Sequence, residues 1–568
     1  MTWDANQSPC NMTDTRSDIS NQRAFNAEDP AAEAIEPRMA EQDLEETAAE
    51  VYDLIGVPID TWAVAAAMES LGLRDLDAVE TYKKANVFEL AELVHQRILA
   101  LPRTPRPEHH PGHEQTKKKK GKLARLVSSY GKGAVTAMPM VGQIACIFIF
   151  RYSLWAWVDF TEAQATIVAL GTLLSFIVTG GFIQSIGREG IRLVGSENYF
   201  LAEKTCWTLV AQGTYTVIAV AIVIFLVALV FPLFDIRLTL VSLMYFILLA
   251  ELWLYASVAV VLSRPMAVLA ITLAGVLPVY LVMHWTTLGI YVAHWCGMSF
   301  ALLLMMMYTM IVFRSAAEGT IPELKSGRLP KPSVRVYLIA PYFVYGFFYF
   351  LNIFSDRLVS WSTASPEPPP FMIWFRTSYE LGMDWALISL VFTLALLEFV
   401  INEFSYFQIP AQKAVKCLRV SDYISFFKRF YRKFLVVLII VAAVDIIATY
   451  YGVGYFKRYN EVKEIREFFS SPTTYFVFFA ASIGYLFIAV GLYNSLFFFT
   501  LSRPGFVLQS IIPATAVNLI VALLASRWIQ YQYGVLGLVA GGITFMVLST
   551  RKAREFFHGL DYYYYAAY

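Results

Sequence analysis

The run WFRTSYELGMDWALISLVFTLALLEFV sets Arg376, Glu380 and Asp384 four residues apart and places Glu398 fourteen residues after Asp384. At about 100° per residue the first three share one face of a helix, and Glu398 returns to within about 40° of it. A file of acids headed by one cation can hold a proton or a cationic solute, or it can pair internally. Arg151, Glu251 and Asp445 are likewise flanked by apolar residues on both sides. In a bilayer a lone central charge costs about 2.5 to 3.5 kcal/mol on insertion scales, so each must face protein, water or a partner. Either a structural ion pair or a place on a solute path follows. Arg376 and Glu380 can also form a simple interfacial pair four residues apart.

Upstream, YFVYGFFYFLNIFSDRLVSWSTASPEPPPF repeats Tyr342, Tyr345 and Tyr349 at helical spacing and sets Asp356-Arg357 before Trp361. Aromatic faces stack on sugar rings and Tyr hydroxyls hydrogen-bond them. Tyr and Trp also populate interfacial belts, which is the expected place for Trp361, and Asp356-Arg357 reads equally as a boundary pair. No GxSxG, HExxH, Walker A or dinucleotide loop occurs, so no enzyme is expected. Asp75-Leu-Asp77 has the spacing of a metal-binding acid pair but sits at a helix start, where capping explains it. The five cysteines lack CxxC spacing, and His109, His110 and His113 lie in a Pro-rich linker. Neither metal nor cofactor is expected, and no nucleic-acid partner.

These residues sit in a chain that is 57% hydrophobic and 16% charged, with a mean hydropathy of +0.53, which a soluble core does not need. Residues 1–100 hold 20 acidic and 7 basic side chains, against 24 and 38 in the remainder. An acidic head thus precedes a basic membrane body. The expected order is a disordered acidic tail (1–39), a small soluble helical domain (40–101), a Pro/Lys-rich linker (102–133), a first six-helix transmembrane half (134–334), and a second half with a cytoplasmic tail (335–568). In the head, Asp60 can cap a helix that Gly72 stops, and Asp77-Ala-Val-Glu80 and Asn86-Val-Phe-Glu89 have capping-box spacing. The polar first 30 residues do not read as a secretory signal.

From Ala134 onward, twelve apolar segments approach the length of about 20 residues that a crossing helix needs. With the Lys117 to Lys120 end inside, the inner connections and tail carry 20 basic residues and the outer ones 7. Both termini are therefore expected in the cytoplasm. LSRPMAVL at Leu262 and LSRPGFVL at Leu501 then fall in equivalent inner turns, after segments four and ten. Six is even, so the halves form a parallel repeat about an axis along the membrane normal. Arg264 and Arg503 read as repeated topological anchors, and Pro265 and Pro504 as first helical residues. The expected fold is an all-α polytopic membrane protein of about twelve helices in two parallel six-helix halves. Two such halves around a shared cavity suit alternating access.

The same residues carry a family resemblance. Twelve segments in two parallel halves resemble the multidrug/oligosaccharidyl-lipid/polysaccharide (MOP) exporter superfamily, with its MATE-like fold. Asp356-Arg357-Leu-Val-Ser-Trp361, Tyr379-Glu380, Leu396-Leu397-Glu398-Phe399 and Gly559-Leu-Asp561-Tyr562-Tyr563 look like the PelG group of Pel exopolysaccharide exporters. That group's pattern at the first place is roughly Asp-Lys-Trp-x-x-Trp, so Arg357 and Leu358 depart from it, and a role specific to Lys does not transfer. The resemblance covers about residues 130–568 and implies an amino-sugar-rich polysaccharide moved outward through the cytoplasmic membrane. A partly cationic polymer would suit Glu380, Asp384 and Glu398. The basic stretch QKAVKCLRVSDYISFFKRFYRKF would suit docking of a cytoplasmic glycosyltransferase or synthase, or contact with anionic lipid. A lipid-linked oligosaccharide flippase and a drug/cation antiporter are alternatives of the same kind; a non-transporting membrane scaffold for a glycosyltransferase is one of another.

Overall fold

The computed structural model describes residues 44–52, 54–56, 58, 60–100, 122–231, 234–318, 331–364, 371–414, 420–459 and 470–565. The expected acidic tail and most of the linker, with its histidines and lysine run, lie outside them. The chain forms two compact units, residues 1–115 and 116–568. Its elements are helical, and no strand occurs among the described residues.

In the first unit a helical stretch over 44–52 precedes α1 (Thr61–Ser70), α2 (Asp75–Glu80) and α3 (Val87–Ala100). Asp60 Oδ1 accepts from Ala63 N at 2.8 Å, and Gly72 ends the first turn region at φ +95°. α2 begins three residues earlier than the Asp77 capping spacing predicts. The reason is that Asp77 reaches back to Arg74 N at 2.8 Å, a bond that holds its carboxyl below the ordinary range. Asp75 Oδ1 accepts from Val87 N (2.9 Å), tying α2 to α3, and Asn86 Oδ1 caps α3 through Glu89 N (2.9 Å). Both acids of the Asp-Leu-Asp spacing are thus spent on backbone amides. Val64, Met68, Leu90 and Val94 fill the core between the helices.

The second unit contains α4 (Lys122–Phe150), α5 (Glu162–Gly195), α6 (Tyr199–Val230), α7 (Ile236–Val261), α8 (Pro265–Ala274), α9 (Val276–Trp285) and α10 (Ile290–Glu318). These are followed by α11 (Pro332–Trp361), α12 (Thr377–Ala414), α13 (Val420–Tyr459), α14 (Pro472–Thr500), α15 (Pro504–Trp528), a 3-10 turn (Tyr531–Gly534), α16 (Val535–His558) and α17 (Leu560–Tyr565). α8 and α9 form one span broken at Gly275, because Pro278 has no N–H and its ring crowds the carbonyl of Ala274. Among the described residues eleven helices are long and apolar enough to cross a bilayer. The one that departs from the twelve expected segments is α4, whose apolar part is the short stretch Met138–Ile147. Its polar and small residues are used in packing instead. Gln143 joins Thr272 O (3.2 Å) to Leu154 N (2.8 Å), and a Cβ at Gly133 would lie 2.8 Å from Ala395 O.

The halves meet through two helix pairs, α5 on α11 and α4 on α12. Counting α8–α9 as one span, these are spans two on seven and one on eight. Exchanging the halves turns each contact into the other, as a two-fold axis along the membrane normal requires. Equivalent crossings recur inside the halves. A Cβ at Gly171 would lie 2.6 Å from Ser242 O of α7, and one at Gly382 would lie 2.7 Å from Thr474 O of α14.

The two octets adopt one local structure. Ser263 (φ +57°) and Ser502 (φ +53°) are both left-handed, with Ser263 N on Val260 O and Arg264 N on Ala259 O, matched by Ser502 N on Phe499 O and Arg503 N on Phe498 O. Each octet is a helix stop of the Schellman type followed at once by a proline-started helix. A non-Gly residue in that region costs about 1 to 2 kcal/mol. Ser263→Gly is therefore expected to raise the midpoint of thermal unfolding, followed by size-exclusion fluorescence. Ser502→Gly should gain less, because Ser502 Oγ also accepts from Arg188 Nη2 of the other half at 2.7 Å. Equal losses in both variants would contradict this account.

α12 and α13 have 38 and 40 residues. At about 1.5 Å per residue each exceeds the roughly 20 residues that span a bilayer, so their shared end projects beyond it. Aromatic pairs lock this end, with Phe404–Phe427 centroids at 5.3 Å and Phe404–Phe497 at 4.8 Å. The expected amphipathic loop is thus largely helix, with Lys428, Arg429, Arg432 and Lys433 on α13.

Candidate functional site

α11 delivers Asp356, Arg357 and Trp361 to one end of the second half, and α12 returns Tyr379, Glu380 and Asp384 beside them. Arg357 Nη1 donates to Glu380 Oε2 at 2.5 Å and to Asp384 Oδ1 at 3.0 Å. Trp361 Nε1 donates to Glu380 Oε1 at 2.8 Å, and Tyr379 OH to Asp356 Oδ2 at 2.6 Å. Adjacent residues of one helix thus meet adjacent residues of the next. Phe354 lies under the guanidinium at 5.8 Å, and Tyr485 of α14 borders it. The side chains of Arg357 and Glu380 are each 5% exposed, whereas Asp384 is 56% exposed, so one arginine links a buried carboxylate in the interior to an exposed one at the outer end, or mouth, of the cluster.

Three carboxylates face one guanidinium, and the surplus is acidic. A cationic group or proton arriving at Asp384 would compete with Arg357 for it and so disturb the buried pair with Glu380. Binding at the mouth and pairing in the interior are therefore linked by a shared group. Two further arginines close the same end by satisfying carbonyls at the α11 C-terminus. Arg376 Nη2 donates to Thr363 O (2.8 Å) with its guanidinium over Tyr531, and Arg527 reaches Val359 O (3.2 Å), Ser362 Oγ (2.9 Å) and Thr363 Oγ1. No group of three His, Cys, Asp or Glu able to hold a metal occurs among the described residues.

No family model and no curated protein matches the sequence. Among solved structures the chain is similar to the Vibrio cholerae MATE transporter VcmN in the bent form, at 12% identity and TM-score 0.51, covering 78% of this chain and 98% of that one. It is similar also to a multidrug resistance MATE family transporter of the MOP superfamily. Its inward-facing conformation aligns at 10% identity and TM-score 0.51, covering 78% and 99%, and its outward-facing conformation at 10% and 0.50, covering 78% and 97%. The body has the MATE fold.

Within this MATE-type body the expected site residues separate into groups. Asp356, Arg357, Glu380 and Asp384 come together. Arg376 sits at the same end but does not pair with Glu380 or line their stripe, because the α11 carbonyls claim it. Trp361 is fully buried and bonded to Glu380 rather than in an interfacial belt, and Asp356-Arg357 is buried rather than a boundary pair. Glu398 is exposed on α12 where Gly133 of α4 crosses, bonded to Asn402 Nδ2 at 3.2 Å, and does not join Asp384. The angular return holds, but fourteen residues of rise, about 21 Å, separate the two acids.

Arg151 lies beyond the end of α4, left-handed at φ +67°, and pairs with half-exposed Asp159 at 2.7 Å. The segment predicted to run to residue 157 instead turns at Phe150, which frees this charge from the interior. Glu251 sits between α6 and α7, with Oε2 accepting from Thr214 Oγ1 at 2.9 Å. Asp445 of α13 accepts from Thr393 Oγ1 at 3.0 Å. Tyr345 is buried on α11, stacked with Tyr349 at 5.9 Å and edge-on to Phe499 at 4.8 Å. Arg264, Pro265, Arg503 and Pro504 stay in the two helix-joining turns.

Sequence reasoning about chemistry passed over Tyr485, Asn352, Asn518 and Arg527. A polar residue every three or four positions inside apolar helices was the available signal. It continues from Tyr345 and Tyr349 to Asn352, Asp356 and Ser360.

Proposed function

We propose that the chain is a transporter that moves a polysaccharide across the cytoplasmic membrane by rocking of its two halves, with both termini in the cytoplasm. The observation that carries this is the buried Arg357–Glu380 pair opening onto exposed Asp384, inside a body whose halves meet mainly along two-fold-related helix pairs. A membrane scaffold has no need of an ion cluster shared between interior and mouth. The acidic surplus suits a polymer with free amino groups, and the PelG resemblance points the same way. The projecting basic end of α12 and α13 is the docking place for a cytoplasmic synthase in this reading. The acidic surplus together with the likeness to MATE transporters favours one second reading, an antiporter of cationic drugs.

The test is secreted against cell-retained hexosamine in cells lacking the chain, complemented with wild type or with Asp384→Asn. Loss of secretion in the null, and secretion reduced at least ten-fold by Asp384→Asn at equal membrane level, are expected. Full secretion in the null would remove the polysaccharide reading. Sensitivity of that same null to cationic drugs would then put the antiporter first.

A further inference from the structure

Resting on the polysaccharide reading, we infer that the face of α11 carrying Tyr345, Tyr349, Asn352, Asp356 and Ser360 is the closed form of a glycan-binding track inside the second half. These residues follow one another at four, three, four and four positions, which keeps them on one side of the helix. The opposite side, with Phe350 and Phe354, packs on Phe176 of α5 instead, at centroid distances of 5.4 and 5.9 Å. From Tyr345 to Ser360 the stripe runs about 22 Å at 1.5 Å per residue, most of a hydrocarbon core of about 30 Å. It ends beside the Arg357–Glu380 pair, through the bond from Tyr379 to Asp356.

What points to a ligand is unmatched hydrogen-bonding capacity in a tightly closed seam. Asn352 Nδ2 and Asp356 Oδ1 on the α11 stripe, Ser355 Oγ beside it and Asn518 Oδ1 on α15 are all fully buried without a hydrogen-bond partner. Their residues are at most 2% exposed. Hydrogen bonds from α15 close the seam: Asn518 Nδ2 donates to Asn352 O at 2.6 Å and to Asn352 Oδ1 at 3.3 Å, and Thr515 Oγ1 to Phe348 O at 3.3 Å. Helix α16 presses on it through glycines, since a Cβ at Gly541 would lie 2.7 Å from Asn518 Cβ and 3.2 Å from Asn352 Oδ1.

Orphaned buried donors and acceptors raise the free energy of the closed form. Opening onto apolar lipid or a hydrocarbon-rich drug would not relieve that cost. A sugar would, because each hydroxyl both donates and accepts, matching an array of one amide N–H₂ group, one hydroxyl, one carboxylate oxygen and one amide carbonyl. The faces of Tyr345 and Tyr349 add the stacking surface that a pyranose ring uses. The ligand class is therefore a neutral or amino-sugar glycan segment, held by hydroxyls along the track and by ammonium groups at the acidic end.

The test uses the full chain in polymer-producing cells. The double variant Asn352→Ala with Asn518→Ala is expected to reduce secreted hexosamine at least ten-fold at unchanged membrane level. Ser510→Ala, which removes a buried hydroxyl bonded only within its own helix, should leave secretion unchanged. An Asn518→Cys variant should be alkylated by a small membrane-impermeant maleimide while polymer is being made and be protected when synthesis is off. Full secretion by the double variant, or an Asn518→Cys variant that secretes normally but never labels, would overturn the track and leave the transport reading standing. Full secretion in cells lacking the chain would remove the transport reading itself, and the track with it.

Discussion

Arg357→Met is expected to lower the unfolding midpoint more than any other single change at the cluster. The guanidinium and the Glu380 carboxylate are both almost wholly buried, and one Nη1 atom serves Glu380 and Asp384 together. Removing one partner of such a pair leaves a buried charge without compensation, at a cost of about 3 to 5 kcal/mol. Total stabilities of domains are only about 5 to 15 kcal/mol, so a strong drop in folded yield follows. The double variant Arg357→Met with Glu380→Gln should recover most of the loss. The amide is neutral and its carbonyl can still accept from Trp361 Nε1, which now bonds Glu380 at 2.8 Å.

Asp384→Asn should cost little stability, under about 1 kcal/mol, because that carboxylate is more than half exposed and screened. Its effect belongs to transport. Arg357→Lys should fall between wild type and Met, since a flexible point charge reproduces the charge but not the planar fork. A thermal-unfolding double-mutant cycle on detergent-solubilised full chain measures the coupling. If Arg357→Met unfolds at the wild-type temperature, the pair is not what holds this end together, and the mouth-to-interior linkage loses its basis.

The parts of this architecture visible in the sequence are those set by one-dimensional rules. Apolar run length marked the spans, basic residues marked the connections, and the repeated octet marked the two halves. The octet turned out to encode a backbone shape, left-handed Ser263 and Ser502 followed by Pro265 and Pro504, which explains why it recurs where side-chain roles differ. The site was half legible. Glu380 and Asp384 stood out as acids in an apolar run, but their partner Arg357 lies 23 residues from Glu380 and reaches it only once α11 and α12 fold back on each other. Trp361 looked like a belt residue because composition does not reveal what an indole N–H will meet. Periodicity joined Glu398 to Asp384 in angle while height separated them. Glycine crossings such as Gly133 on Ala395 were invisible, since a glycine in an apolar helix reads as a weak helix former until the neighbouring backbone is in place.

That last class supplies the other large expected effect. Gly346→Val is predicted to abolish transport and to destabilise the body by more than about 3 kcal/mol, beyond the usual range for overpacking. A Cβ at Gly346 would stand 2.2 Å from Gly180 O and 2.7 Å from Gln184 Cγ, both on α5. A side-chain end can swing away, but a helix carbonyl cannot, so α5 and α11 must separate. This crossing is one of the two principal helix pairs through which the halves engage among the described residues, so the strain falls on the relation between halves rather than on one core. Gly187→Ala on α5, the helix that Gly346 crosses, is the control, because nothing lies within 4 Å of the added methyl. There the gain in helix propensity, about 1 kcal/mol, should appear as a raised midpoint. Opposite signs from Gly346 on α11 and Gly187 on α5 would show that close approach, not glycine's flexibility, is what the crossing requires. Normal export by Gly346→Val would mean instead that the halves work without closing here, and that the two-fold contact pair does not serve as the hinge of the motion.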